Sequence, residues 1–145
     1  MSVYIASQPI SYLPMTDMTD AAGLAVMLGT TAGDPEYGIR LCTDAKKFVG
    51  VVLYGSRAYN DPLSAAQVQS AGRTTTVQKD GIARAIAAGS ITRGAAVAVD
   101  TAGALGRFKA AASGEIIVGL ANTTASGAGK PFELDLSTPI AGATF

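Results

Sequence analysis

No histidine occurs among the 145 residues, and Cys42 is the single cysteine. The usual general base near neutral pH and the commonest transition-metal ligand are therefore absent. An internal disulfide and a multi-thiolate zinc site are excluded as well. Serine chemistry would have to fall back on a lysine base, but Lys46, Lys47, Lys79, Lys109 and Lys130 stand in ordinary turn or polar-face contexts. Cys42 lies in an apolar run with no imidazole to pair with, and reads as a small core residue. Asp17 and Asp20 are spaced i, i+3, yet solvated loop charges explain them. Asp100 stands alone in its turn, without the alternating oxygen ligands of a calcium loop.

Phosphate-binding patterns fail on inspection. A phosphate loop needs Gly, four residues, then Gly-Lys-Ser/Thr, whereas Gly129-Lys130 is followed by Pro131 and Thr124 stands where the first glycine belongs. Gly127-Ala128-Gly129 has no third glycine at dinucleotide spacing and no helical pattern after it. Lys46-Lys47 is too small a basic spot for nucleic acid, and 11 basic residues against 11 acidic give a net charge of zero. The sequence thus predicts no enzyme, no cofactor, no nucleic-acid partner and no membrane partner. The N-terminus has no basic n-region, and Pro9 and Pro14 interrupt its apolar character, so synthesis in the cytosol is expected.

The elements behind these residues are short. Of the 48% apolar residues many are alanine (27), and glycine adds 17, so each buried side chain removes little area from water. Residues 1–19 hold Tyr4, Ile5, Tyr12 and Leu13 between prolines, which favours an extended N-terminal arm over a helix. That arm reads either as a first strand docked on its own domain or as a segment lying on a neighbouring subunit. Residues 20–145 are expected to form a single β-domain. Candidate strands are 24–28, 38–43, 48–54, 74–77, 81–87, 95–99, 105–110, 115–121 and 132–136. Ile82, Arg84 and Ile86 share one face, and Phe132, Leu134 and Leu136 oppose Glu133 and Asp135. Asp100 and Gly103 frame a type I turn, and Gly33-Asp34-Pro35 is a breaker. Many short strands at this spacing argue for a mainly all-β fold, a small barrel or a jelly-roll-like sandwich. One short helix is expected at 62–70, where Asp61 and Pro62 supply a cap and first position and Gly72 a stop.

The halves also resemble each other. Residues 22–25 align with 80–83 at a spacing of 58, which also carries 39–41 onto 97–99. Further on the spacing is 69, placing Val49-Gly50-Val51 on Val118-Gly119-Leu120 and Pro62 on Pro131. Such a duplication would give a pseudo-twofold β-domain of two units, each too small to bury a face alone.

Residues 81–136 hold an apolar strand, Ile91-Thr-Arg-Gly94 before a valine-rich strand ending in Asp100, a glycine turn, Ile117-Val-Gly-Leu-Ala121, a small-residue loop and a last alternating strand. This pattern, over roughly residues 74–137, resembles the cement or decoration proteins of tailed-bacteriophage heads. The resemblance implies a β-barrel or sandwich on the capsid exterior that cements neighbouring major capsid subunits and associates with itself as a dimer or trimer. Its partners would be the major capsid protein and its own copies, and its location the virion after synthesis in the host bacterial cytoplasm. Tyr4, Ile5, Tyr12 and Leu13 are the residues expected to make capsid or self-association contacts. The alternative is another phage structural part or a host-surface, carbohydrate-binding β-module of a tail or baseplate, although Trp is absent and the five Tyr are scattered.

Overall fold

A computed structural model describes residues 10–15, 18–19, 21–29, 33–34, 36–53, 68–69 and 75–136. Its strands are β1 (Ile10–Pro14), β2 (Met18–Thr19), β3 (Ala25–Leu28), β4 (Gly38–Leu41), β5 (Phe48–Val52) and β6 (Val68–Gln69) in the first half. The second half carries β7 (Thr75–Gln78), β8 (Ile82–Ile86), β9 (Ala96–Val99), β10 (Phe108–Ala110), β11 (Gly119–Ala121) and β12 (Pro131–Asp135). Each of the nine expected strands has its counterpart. Among the described residues there is no α-helix; a 3-10 turn at Ala45–Lys47 is started by the Asp44 carboxylate, which accepts from the Lys46 N–H at 3.0 Å. The helix expected at 62–70 is corrected at its end, because Val68 and Gln69 pair antiparallel with Thr19 and Met18. A pairing with residues far back along the chain wins there over the local capping signals. Residues 61–67 lie outside the described residues.

Strands β1-β4-β3-β5-β7 form a closed barrel, so the barrel expectation holds for this half and the sandwich does not. All its pairings are antiparallel except β1 with β4, which is parallel and closes the ring. Within the segment expected as an arm, residues 10–14 therefore dock on their own chain, while residues 1–9 lie outside the described residues. The other five strands make an antiparallel sheet ordered β10-β9-β11-β12-β8. Its two edges meet at a parallel bridge between Ala87 and Phe108, where the Ala88 N–H donates to the Phe108 carbonyl at 2.6 Å.

The second sheet repeats the first barrel, strand for strand. Val26 faces Gly50 as Val97 faces Gly119, and Leu28 faces Ile39 as Val99 faces Phe108. Val52 faces Val77 as Ala121 faces Leu134, and Ile10 faces Val77 as Ala83 faces Leu134. The closing contact repeats too, Pro14 with Ile39 and Ala87 with Phe108. Turns before β3 and β9 carry the same bonds: Gly23 N–H to Val52 O at 2.8 Å, and Gly94 N–H to Ala121 O at 2.7 Å. Both glycines have the left-handed φ, +86° and +88°. The alignment of Gly50 with Gly119 is thus structural. The alignment of residues 22–25 with 80–83, and of 39–41 with 97–99, is not: Gly23 corresponds to Gly94 and Ile39 to Phe108.

Side-chain alternation places the cores. Tyr12, Val26, Ile39, Val52 and Val77 fill the first barrel. In the second unit Phe132 and Leu134 point inward opposite Ala85 and Ala83, so only methyl groups fit across from them and the larger Ile82 and Arg84 turn outward. The outward faces of β3 and β5 (Ala25, Met27, Val51) join Cys42 and the second unit's core in one cluster, with Phe48 edge-on to Phe108 at a centroid distance of 6.3 Å.

The two units are also joined through backbone. The Ile86 N–H donates to the Gly23 carbonyl at 3.0 Å, and the Ala25 N–H donates to the Gly106 carbonyl at 2.7 Å. Residues 23–25 of the first unit therefore lie as a strap between β8 and the turn before β10. In the first barrel the matching groups bond each other, Leu13 N–H to Tyr37 O at 2.8 Å. The strap explains why the second unit is splayed at this end. It requires close approach: a Cβ on Gly23 would come within 2.7 Å of Ile86, and one on Gly106 within 3.3 Å of the Ala25 carbonyl.

Gly50 and Gly119 are equally constrained, since a Cβ at either would collide with the backbone carbonyl of Gln78 or Asp135. Gly119→Ala and Gly50→Ala should each lower unfolding free energy by about 1–3 kcal/mol in urea titration. Gly89→Ala, where a Cβ meets nothing within 4 Å, should leave it unchanged or slightly raised. Equal midpoints for all three variants would contradict the packing described here.

Candidate functional site

The polar clusters of the described residues hold loops rather than a reaction. None gathers three or more His, Cys, Asp or Glu side chains able to hold a metal ion. The Asp100 carboxylate accepts from the N–H groups of Ala104 and Gly103 at 3.0 Å and of Ala102 at 3.1 Å, and these bonds hold its pKa below the ordinary range. This is the turn expected from Asp100 and Gly103. Glu115 is lowered by its bond to Lys109, with help from the Ala112 N–H. Asp34 receives the guanidinium of Arg40 in a fork, at 2.9 and 3.1 Å. Cys42 is fully buried and its Sγ donates weakly to the Asp44 carbonyl at 3.5 Å. Burial pushes its thiol up to about 11, so it stays protonated and unreactive.

What stands out instead is apolar surface. Leu28 is 47% exposed and Tyr37 61%, and both sit at the β3–β4 end of the first barrel. With Tyr12, Gly29, Asp34, Glu36 and Gly38 they line a groove of about 470 Å³. Tyr37 is the one described non-glycine residue with positive φ, +64°, a backbone state that costs an L side chain about 1–2 kcal/mol. At the matching position of the second unit stands Gly106, with φ +79° and no such cost. The first unit thus keeps an exposed aromatic on left-handed backbone where the second unit has a glycine.

The four residues singled out in the sequence divide. Tyr12 is buried in the first barrel's core at 5% exposure, its ring edge-on to Tyr37 at 6.0 Å. Leu13 is half-buried beside Tyr37 and bonds it through the backbone. Tyr4 and Ile5 lie outside the described residues. Leu28 and Tyr37 were not read from the sequence, though both flank the Gly33-Asp34-Pro35 breaker, where an apolar residue next to a turn tip has little core to reach.

The model of the structural cement protein family (E217 gp24/Pam3 gp6) matches residues 5–137. The chain belongs to this phage family. The match extends the resemblance seen in residues 74–137 across the first half as well. Comparison with curated proteins gives no match. A cement protein is a non-enzymatic structural part of the phage virion.

Two measurements probe this cement protein's electrostatics. Asp100 and Glu115 have lowered folded pKa values, so their stabilising contribution is complete above about pH 4 and is lost as pH falls through those values. Asp100→Asn should flatten the fall in urea midpoint between pH 5 and about pH 2; an unchanged acid slope would refute the role given to its three N–H bonds. Cys42, with a raised pKa, should resist an aromatic disulfide reagent at pH 8 until the chain is unfolded. Rapid native labelling would show that the thiol is not enclosed.

Proposed function

We propose that this cement protein binds the outer face of an assembled capsid and joins neighbouring major capsid subunits, and that the mouth of its first barrel is the surface through which it engages its neighbours in the shell. The observation that carries this is the exposed pair Leu28 and Tyr37, the latter on left-handed backbone, in a chain whose family is structural. Tyr4, Ile5 and Leu13 are taken to add contacts to the capsid or to other copies, while Tyr12 supports the mouth from within. The physical mechanism is multivalent. Each copy adds a modest interface, and in a closed lattice the second and later contacts become effectively intramolecular. Two units fused by a shared core make each copy a stiff clamp rather than two tethered parts, so a subunit pair held by it must break both contacts to separate.

Co-sedimentation with purified phage heads lacking the protein tests the reading directly: it should pellet with heads and saturate at a fixed number of copies. Tyr37→Gly should leave fold stability within about 1 kcal/mol, because relief of the left-handed strain is offset by glycine's entropy and the lost edge contact with Tyr12, yet lower head occupancy at limiting protein. Removal of residues 1–9, which leaves β1 in place, should weaken occupancy without lowering the melting temperature. Failure of the intact protein to pellet with heads would overturn the proposal.

A further inference from the structure

Asp80 is the single aspartate of the sequence that precedes a glycine, and no asparagine does. Asp34 and Asp61 precede prolines, which have no N–H, and every other aspartate precedes a residue with a side chain. The distinction is chemical. A backbone nitrogen can attack the side-chain carboxyl carbon of the residue before it, closing a five-membered ring, and the side chain next to that nitrogen is what hinders the approach. Glycine offers no such cover.

The carboxylates of the turns also point differently. Asp44 reaches past its own next amide to the Lys46 N–H, and Asp100 reaches past its own to Ala102, Gly103 and Ala104. The Asp80 Oδ1 instead accepts from the N–H of Gly81, at 2.8 Å, which lays the carboxyl carbon against that nitrogen. Gln78 holds the turn in this geometry, its Nε2 donating to the carbonyls of Asp80 and Ile82 at 2.9 Å each. Both residues of the pair are half-buried, so water reaches them. A reacting pair kept in contact by its surroundings is a near-attack arrangement, and such placement removes much of the barrier.

We infer that Asp80 and Gly81 form a site of self-modification, at which Asp80 isomerises to isoaspartate in the folded protein without an enzyme. The Gly81 nitrogen bonds to the Asp80 carboxyl carbon, and one carboxyl oxygen leaves as water with the amide proton and a proton from solvent. Water then adds to the former main-chain carbonyl of Asp80 and breaks its bond to the nitrogen. The main chain now runs through the Asp80 side chain, a carboxylate remains on the Cα, and mass is unchanged. The chain gains one methylene between β7 and β8, at the link where one unit passes into the other. There the Gly81 carbonyl accepts from the Leu136 N–H at 2.8 Å and Ile82 faces Asp135, so the ends of β8 and β12 must absorb the added length. The inference concerns how long this link keeps its shape, and is independent of which surface meets a capsid.

The test uses full-length protein kept folded in neutral buffer for several weeks, then labelled with an isoaspartyl methyltransferase and mapped by peptide. Label at Asp80 should exceed that at any other aspartate by about tenfold or more, and should appear at least as fast as in the chain unfolded in guanidinium chloride. Gln78→Ala should slow labelling several-fold in the folded protein and leave the unfolded rate unchanged. Asp80→Asn should react faster, releasing ammonia in place of water. Aged native protein should melt at a lower temperature than fresh, whereas Asp80→Glu, whose ring would need six members, should acquire no label at this position and melt alike fresh or aged. Label spread evenly over the aspartates, or a folded rate below the unfolded one, would overturn the site. A labelled protein that melts unchanged would overturn the effect on the link.

Discussion

A ring of five short strands must satisfy the polar groups of its first and last members, and in this chain the two rings solve that requirement differently. The first closes on itself, with β1 laid parallel to β4. The second closes only at Ala87 and Phe108, and above that bridge it takes residues 23–25 of its neighbour between its edges. The remaining features depend on that sharing. It fixes how the units lie, turns the outer faces of β3 and β5 toward the second core, and favours glycine at 23 and 106, where left-handed φ and close neighbours leave little room for a side chain.

Strand positions were legible in the sequence because alternation and turn chemistry are local. Phe132 and Leu134 announce β12, and Asp100 with Gly103 announces its turn. Pairings were not legible, since they are set by contacts far apart along the chain. Residues 10–14 carry two hydroxyl-bearing side chains and end in a proline, and nothing nearby says that Val77 and Ile39 flank them in space. The helix expected at 62–70 rested on capping signals alone, and capping cannot tell that Val68 has Thr19 as a strand partner.

The duplication was half legible for a related reason. Barrel interiors fix volume across a pair, not residue type at a position. Tyr12 stands opposite Thr75 in one unit, and Ala85 opposite Phe132 in the other, so the large and small members have changed places while the register has not. A search for like residues then follows alanines and glycines into a false spacing for residues 22–25. Gly50 and Gly119 were found because both sit against a neighbouring carbonyl, a constraint that admits no exchange. The exposed apolar pair was concealed similarly: Leu13 and Tyr12 could be named as apolar residues without a core, but only the fold separates Tyr12, which has one, from Leu28 and Tyr37, which do not.

One apolar cluster runs without interruption from Cys42 and Met27 through Phe108 to Leu134. The first barrel keeps a core of its own around Val26, Ile39 and Val77, but the outer faces of its β3 and β5 belong to the second unit's cluster. Heat or denaturant that opens the second unit therefore strips apolar cover from the first, which couples the two in unfolding.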